Sequence, residues 1–176
     1  MTILPWTHPI AGMPANSRDY TREAAPEELA AIASELGLLG CSKLHAKYAI
    51  RAIGGGRYKL TGTCDVTITQ ACVVTLDPIE STLKLPIDVE FSPEANAPPR
   101  KSDDEDEEVE VSSLPDLEPI ENASLDAGRV VFETLAAGID PFPKKPGAAF
   151  AWDDPRATDP KTNPFAVLAT LKQKQN

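Results

Sequence analysis

The middle of the chain alternates apolar and polar residues over three long runs, which is the pattern of β-strands that bury one face. The apolar positions of the first run, which starts at Cys41, are Leu44, Ala46, Tyr48, Ile50 and Ala52. Those of the return run are Tyr58, Leu60, Cys64, Val66 and Ile68, and those of the third run are Leu83, Leu85, Ile87, Val89 and Phe91. Because Gly54 to Gly56 and Asp77-Pro78 can supply the turns, the pattern predicts a three-stranded antiparallel meander.

Helical periodicity precedes and follows the meander. Pro26 suits the first turn of a helix, and Gly37 can end that helix in the left-handed conformation. The apolar stripe between them is Leu29, Ile32, Ala33 and Leu36. A second helix, capped by Asn122 or Ser124, has its stripe at Leu125, Val131, Phe132 and Leu135. A short third helix from Asn163 has its stripe at Phe165, Leu168 and Leu171.

These elements predict an α+β fold. The sheet is mostly antiparallel, with a partly closed barrel as one form of it, and two main helices and the short C-terminal helix complete the fold. We predict a single domain over residues 1–150 and a proline-rich tail over 151–176 that carries the short helix. A disordered acidic loop at about residues 92–117 interrupts the domain, because proline, serine and acidic residues leave little there to bury.

The formal net charge is -10, and the run from Asp103 to Glu110 supplies seven of the 27 acidic residues. No apolar segment reaches the ~18 residues that span a bilayer, and the N-terminus lacks the pattern of a signal peptide. We therefore expect a cytoplasmic protein without membrane contact. The three cysteines, Cys41, Cys64 and Cys72, are an odd set, so reduced thiols are expected.

Motifs for catalysis or metal binding are weak. The chain has only two histidines and no CxxC, and it contains neither a GxSxG nor a phosphate-binding loop with Lys-Ser/Thr. Pairing the first two strands with Ile53 opposite Arg57 places His45 across from Asp65 and Cys64 across from Ala46, on opposite faces. We therefore predict no metal, no cofactor, no catalytic residues and no small-molecule substrate.

The same pairing predicts a strip of positive charge on the polar face of the sheet. Arg51 lies opposite Lys59, and Lys47 and Lys43 continue the row. Lys144 and Lys145 form a second basic patch in an extended, proline-rich segment. The strip is either an ordinary solvated face or a surface for nucleic-acid phosphates.

Three blocks of the sequence resemble the YceD-like family, the large ribosomal RNA subunit accumulation proteins. The first is GTCDVTITQACVVTLDPIESTLKLPIDVEFSP from Gly62 to Pro93, followed by an acidic insertion. The others are EPIENASLDAGRVVFETLAAGIDPFPKKPG from Glu118 to Gly147 and the final NPFAVLATLK. Many family members carry a second cysteine where this chain has Thr75, so a metal role shared with them is not implied.

The resemblance implies a non-enzymatic factor that supports accumulation of large-subunit ribosomal RNA. Its partner would be ribosomal RNA or a pre-ribosomal particle, contacted directly or through a protein. The alternative is a protein-interaction adaptor without RNA contact, whose partner docks on the segment from Asp140 to Gly147 or on Phe165, Leu168 and Leu171.

Overall fold

The computed structural model describes residues 3–13, 16–93 and 117–150. The described residues up to 145 belong to one compact unit, and residues 146–150 belong to a second. Most of the predicted acidic loop lies outside the described residues. The predicted C-terminal helix with Phe165, Leu168 and Leu171 lies outside them as well.

Strands dominate the described part of the chain. In chain order the elements are β1 (Thr7–Pro9), β2 (Arg18–Glu23), α1 (Pro26–Glu35), β3 (Gly40–Gly54), β4 (Arg57–Ala71), β5 (Pro78–Ser92), β6 (Leu117–Pro119), β7 (Ser124–Asp126) and α2 (Ala127–Gly138). Strands β3, β4 and β5 pair in sequence as antiparallel neighbours. The predicted three-stranded meander is therefore confirmed.

The predicted fold class is wrong, because the protein is mostly β rather than α+β. The main sheet has five strands in the order β2-β3-β4-β5-β6, and β6 runs parallel to β5, so the sheet is mixed. Among the described residues its two outer strands, β2 and β6, do not pair, and the sheet is not a closed barrel. The segment from Arg18 to Glu23, which carries no apolar alternation, adds a strand that the pattern does not predict.

The pairing of β3 with β4 follows the predicted register over most of its length. Arg51 lies opposite Lys59, and His45 lies opposite Asp65. Next to the turn a bulge shifts the pairing, so that Gly54 rather than Ile53 lies opposite Arg57. The apolar positions point to one side of the sheet, here called the inner face. Most of them are buried, Tyr58, Leu83 and Leu85 are partly buried, and Ala52 next to the turn is exposed.

The first helix begins and ends as predicted. Pro26 lies in its first turn, and Gly37 follows its end with φ of 62°. The Glu28 carboxylate accepts hydrogen bonds from the backbone N–H of Ala25 at 2.7 Å and from the Trp6 indole at 3.2 Å. These bonds fix the N-terminus of α1 against the chain's first segment.

The predicted cap of the second helix is wrong. Neither Asn122 nor Ser124 caps α2, because Ser124 begins β7; the Asp126 carboxylate accepts the Arg129 N–H at 3.0 Å instead. The Arg129 guanidinium also pairs with the Glu118 carboxylate, which ties α2 to β6. No helix in the ranges 3–13, 16–93 and 117–150 is long and apolar enough to cross a membrane.

A small second sheet covers part of the inner face. It consists of β1 and β7, with His8 opposite Leu125. Trp6 and Leu125 join the core that the main sheet forms with Ile32 of α1 and Leu135 of α2. This layer brings the N-terminal segment, and with it His8, against β3.

Gly62 of β4 sits at a close approach between β4 and β3. It lies opposite Tyr48, and a Cβ at this position would come within 2.2 Å of the Lys47 carbonyl oxygen and 2.6 Å of the Tyr48 Cα. Only a residue without a side chain fits there. Gly62 therefore makes room for Tyr48, whose side chain is 3% exposed.

We expect Gly62→Ala to lower the free energy of unfolding by about 2 kcal/mol or more, because the backbone of β3 must move to accept the methyl group. Urea denaturation measures the loss. The matched control is Gly40→Ala in β3, whose Cβ would meet only Thr69 at 3.9 Å. Equal unfolding midpoints for the two variants would contradict the close approach at Gly62.

Candidate functional site

Three basic side chains line one strand of the exposed polar side of the sheet, here called the outer face. Lys43, Lys47 and Arg51 are all exposed and all belong to β3. Each is separated from the next by four residues, which corresponds to about 13 Å along a strand. Among the described residues none of the three has a carboxylate within salt-bridge distance. We call these three residues the basic row.

Threonines flank the centre of the basic row. Lys47 lies directly between Thr21 of β2 and Thr63 of β4. Directly opposed residues in antiparallel strands point to the same face, so two hydroxyl groups accompany the Lys47 ammonium. Lysine and threonine side chains are common donors to phosphate oxygens. This arrangement suits an anionic oxygen on the outer face.

Lys59, the fourth residue of the predicted basic strip, lies opposite Arg51 and forms a salt bridge. The Lys59 ammonium pairs with Asp88 of β5 at 2.8 Å. The neighbouring Arg57 pairs with Glu90 at 2.8 Å. These bonds relieve the repulsion expected between Arg51 and Lys59. Lys59 is therefore less available to a ligand than the basic row.

Acidic residues of β2 and β4 flank β3 between the first two members of the basic row. A line across four strands runs from Glu23 through His45 and Asp65 to Lys84. Carboxylates thus lie on either side of His45, between Lys43 and Lys47. The outer face as a whole is of mixed charge, and β3 contributes three of its cations.

The second predicted patch lies on the extended segment after α2. Lys145 is occupied, because its ammonium pairs with Asp77 at 3.2 Å and its backbone N–H bonds to the Cys72 sulfur at 3.4 Å. Lys144 is exposed and has no carboxylate partner among the described residues. The structure therefore separates the two lysines into an anchor, Lys145, and an exposed charge, Lys144.

The three cysteines are unpaired thiols. Cys64 faces inward and His45 outward, as the register predicted, and burial raises the pKa of Cys64 to about 11. The backbone N–H of Lys145 and the hydroxyl and N–H of Thr75 lower the pKa of Cys72 to about 6. Within residues 3–13, 16–93 and 117–150 no group of three or more His, Cys, Asp or Glu is arranged to hold a metal ion.

Sequence reasoning missed a second cluster, which lies at the edge of the sheet. Arg18, Tyr20 and Arg22 of β2 lie opposite Ile50, Tyr48 and Ala46, so they share the inner face. We call these three, together with His8 and Tyr48, the edge cluster. The alternation Arg-Asp-Tyr-Thr-Arg was available in the sequence, but its polar residues resemble a loop.

Aromatic contacts and one hydrogen bond hold the edge cluster together. His8 Nε2 and the Tyr48 hydroxyl are 2.8 Å apart. The ring centroids of His8 and Tyr20 are 4.1 Å apart, and those of Tyr20 and Tyr48 are 5.7 Å apart. The Arg18 guanidinium lies over the Tyr20 ring, 5.4 Å from its centroid.

The electrostatics of the edge cluster keep its histidine neutral. Burial, assisted by the charges of Arg22 and Arg18, lowers the pKa of His8 from 6.5 to about 4. Burial also raises the pKa of Tyr48, although a hydrogen bond from Arg22 opposes that shift. With neutral His8, the Tyr48 hydroxyl can donate its hydrogen bond to Nε2.

No family model, curated protein or solved structure matches this chain.

The low pKa of His8 predicts acid sensitivity. The unfolded chain takes up a proton near pH 6.5 and the folded chain only near pH 4, so stability falls as the pH drops through this window. The full shift corresponds to about 3 kcal/mol. We expect His8→Phe to lose less stability than the parent chain between these pH values, as measured by urea denaturation.

A direct readout is the ring NMR signal of His8 in a His45→Gln background, which leaves a single histidine. The groups that face this ring are Tyr48, Tyr20, Arg22 and Arg18. A signal that titrates at pH 6.5 or above would contradict the buried, cation-flanked environment.

Proposed function

We propose that this protein is a non-enzymatic, cytoplasmic factor that binds ribosomal RNA and supports accumulation of the large-subunit RNA. The observation that carries the proposal is the basic row, in which three exposed cations without carboxylate partners among the described residues follow one strand at equal spacing. The resemblance of three sequence blocks to the YceD-like family supports ribosomal RNA as the particular polyanion.

The spacing favours a polymer over a small anion. From Lys43 to Arg51 the row extends over about 26 Å of strand, more than one small ligand can contact at once. Lysine acts on phosphate as a point charge and arginine as a planar, bidentate donor. Such a row would follow a phosphate backbone without reading its bases, which supplies affinity rather than sequence specificity.

One observation favours a second function, that of a protein-interaction adaptor. Large apolar side chains are exposed where the β4–β5 turn meets the segment after α2: Val73 at 51%, Leu76 at 76% and Phe142 at 75%. The backbone N–H of Val73 bonds to the Pro143 carbonyl at 2.9 Å, which joins the two segments. Leu76 has φ of 62°, a conformation that is costly for a leucine.

This surface includes part of the segment from Asp140 to Gly147 that was predicted to dock a partner. Clustered apolar side chains with polar surroundings are typical of protein-binding sites. In this second reading the apolar turn, rather than the basic row, would recruit the ribosomal partner. The RNA-binding function requires the basic row, and the adaptor function requires the exposed apolar side chains of the turn. Substitutions in one surface or the other can therefore separate the two functions.

For the RNA-binding function we expect Lys47→Gln with Arg51→Gln to weaken binding of single-stranded RNA. The slope of log Kd against log salt should fall by about 1.4, because each lost phosphate contact on a single strand removes about 0.7. Fluorescence anisotropy over a range of salt concentrations measures both quantities. Charge reversal at Arg51 and Lys59 should reduce the affinity further.

The matched control is Lys84→Gln with Arg57→Gln, which removes the same charge from β5 and β4. Lys84 lies opposite Asp65, and Arg57 pairs with Glu90. This control should leave the salt slope near that of the parent chain. If both double variants lower the slope equally, binding depends on net charge alone and the basic row is only a solvated face.

For the adaptor function we expect Leu76→Ser with Phe142→Ser to abolish capture of a protein partner from ribosome-containing lysate while RNA affinity stays unchanged. Removal of residues 160–176 tests the predicted C-terminal docking helix in the same assay. Leu39→Ser is a matched control, because Leu39 is also exposed, at 60%, but lies before β3. Capture that survives both changes would rule out these surfaces as docking sites.

A further inference from the structure

Two arginines of the edge cluster carry charge that no acidic group among the described residues neutralises. Arg18 and Arg22 are exposed, project to the inner face and have no carboxylate within salt-bridge distance in the described ranges. By contrast, Arg57 and Arg129 each pair with a glutamate. In a chain of net charge -10, two arginines without a carboxylate partner on the same face of one strand indicate a place for an external anion.

The aromatic side chains orient these arginines. The Arg18 guanidinium lies over the Tyr20 ring. A contact with the ring face occupies none of the N–H donors, and a guanidinium can use these to bind a phosphate bidentately. The Arg22 guanidinium lies near enough to the Tyr48 hydroxyl to oppose the rise in its pKa that burial causes. The Arg18 side chain, held over the Tyr20 ring, is partly ordered before any ligand binds, which lowers the entropic cost of binding.

Burial beneath the arginines strengthens their attraction for an anion. His8 and Tyr48 are 4% and 3% exposed, so they form a floor of low polarity under the two guanidinium groups. Charges interact more strongly beside such a floor than in open water. The charges of both guanidinium groups also act on the protonation of His8, so the positive field of the two arginines extends over that ring.

The position of β2 connects this place to the basic row. Among the described residues β2 is an outer strand of the sheet and pairs only with β3. Its outer face presents Asp19, Thr21 and Glu23, and the uncharged member, Thr21, lies opposite Lys47. A phosphate backbone that leaves the basic row meets least repulsion where it crosses the edge of the sheet at Thr21.

We propose that Arg18 and Arg22 together bind a phosphate group of the RNA, as a second contact on the opposite face of the sheet from the basic row. The inference rests on the proposed RNA-binding function. It adds a path for the RNA, which would pass from the basic row around the edge of the sheet at β2 to Arg18 and Arg22 on the inner face. The group bound is a phosphate. It could come from the RNA backbone, as we propose, or from inorganic phosphate in solution.

The two histidines of the chain report on the two sites separately. His8 lies in the edge cluster, and His45 lies in β3 between Lys43 and Lys47. The experiment is an NMR titration of both imidazole rings in the full chain with a short single-stranded RNA, in a phosphate-free buffer of low salt. A phosphate placed on Arg18 and Arg22 should shift the His8 signals, because it reduces the positive field on that ring.

The expected result is that RNA shifts the signals of both histidines. Arg18→Gln with Arg22→Gln should remove the His8 response, weaken RNA binding about tenfold and lower the salt slope by about 0.7. The lysine variants at both positions should recover only part of this loss, because lysine keeps the charge but not the bidentate geometry. Arg57→Gln, which removes an arginine paired with Glu90, should leave the His8 response intact.

Three outcomes would overturn the inference in distinguishable ways. If RNA shifts His45 but not His8, the edge site fails and the proposed function stands. If RNA shifts neither ring and does not bind, both fail together. If inorganic phosphate shifts His8 and RNA neither adds to nor competes with that effect, the site binds free phosphate, not RNA. The titration of the parent chain remains decisive even if the double arginine variant does not fold.

Discussion

The register between β3 and β4 decides the chemistry of both faces of the main sheet. Because successive side chains on a strand point to opposite faces, a slip by one residue would bury Lys47 and Arg51 and expose Ile50. Burial of unpaired charges costs several kcal/mol each, so the register is strongly determined. A slip would also put a residue with a side chain where Gly62 lies, and a Cβ there would come within 2.2 Å of the Lys47 carbonyl oxygen.

Much of this arrangement is readable from the sequence, because the meander is local. Turns at Gly54 to Gly56 and at Asp77-Pro78 join neighbouring strands, and period-two burial assigns each side chain to a face. What the sequence did not reveal depends on pairing between distant segments. The strands β6, β7 and β1 have three residues each, too few for a periodic pattern, so their pairing cannot be predicted from the sequence. For the same reason the sequence around Ser124 indicates a helix cap, although the residue begins β7. The strand β2 was missed because an outer strand needs no apolar alternation.

The candidate sites also differ in whether they depend on local sequence or on contacts between distant segments. The basic row follows from the parity of β3 alone, and Lys43, Lys47 and Arg51 lie where the pattern put them. The partner of Lys59 is Asp88, which lies two residues along β5 from Glu90, the residue directly opposite, and such a diagonal bond depends on side-chain geometry. Lys145 is held by Asp77 through a contact between segments far apart in the chain. The edge cluster combines three separate segments, and no local pattern connects His8 with Tyr20 and Tyr48.

The pairing of β1 with β7 has a consequence for the order in which the molecule can be completed during synthesis. A nascent chain that has emerged as far as Ser92 contains all three strands of the meander and the whole basic row. His8 precedes the meander in the chain, but at that stage it still lacks the strand that holds it, because β7 follows β5 and β6. Closing so long a loop is entropically costly and is repaid only when the late segment packs. The outer face is thus available early, whereas the enclosed floor of the edge cluster exists only once β7 and α2 have been made.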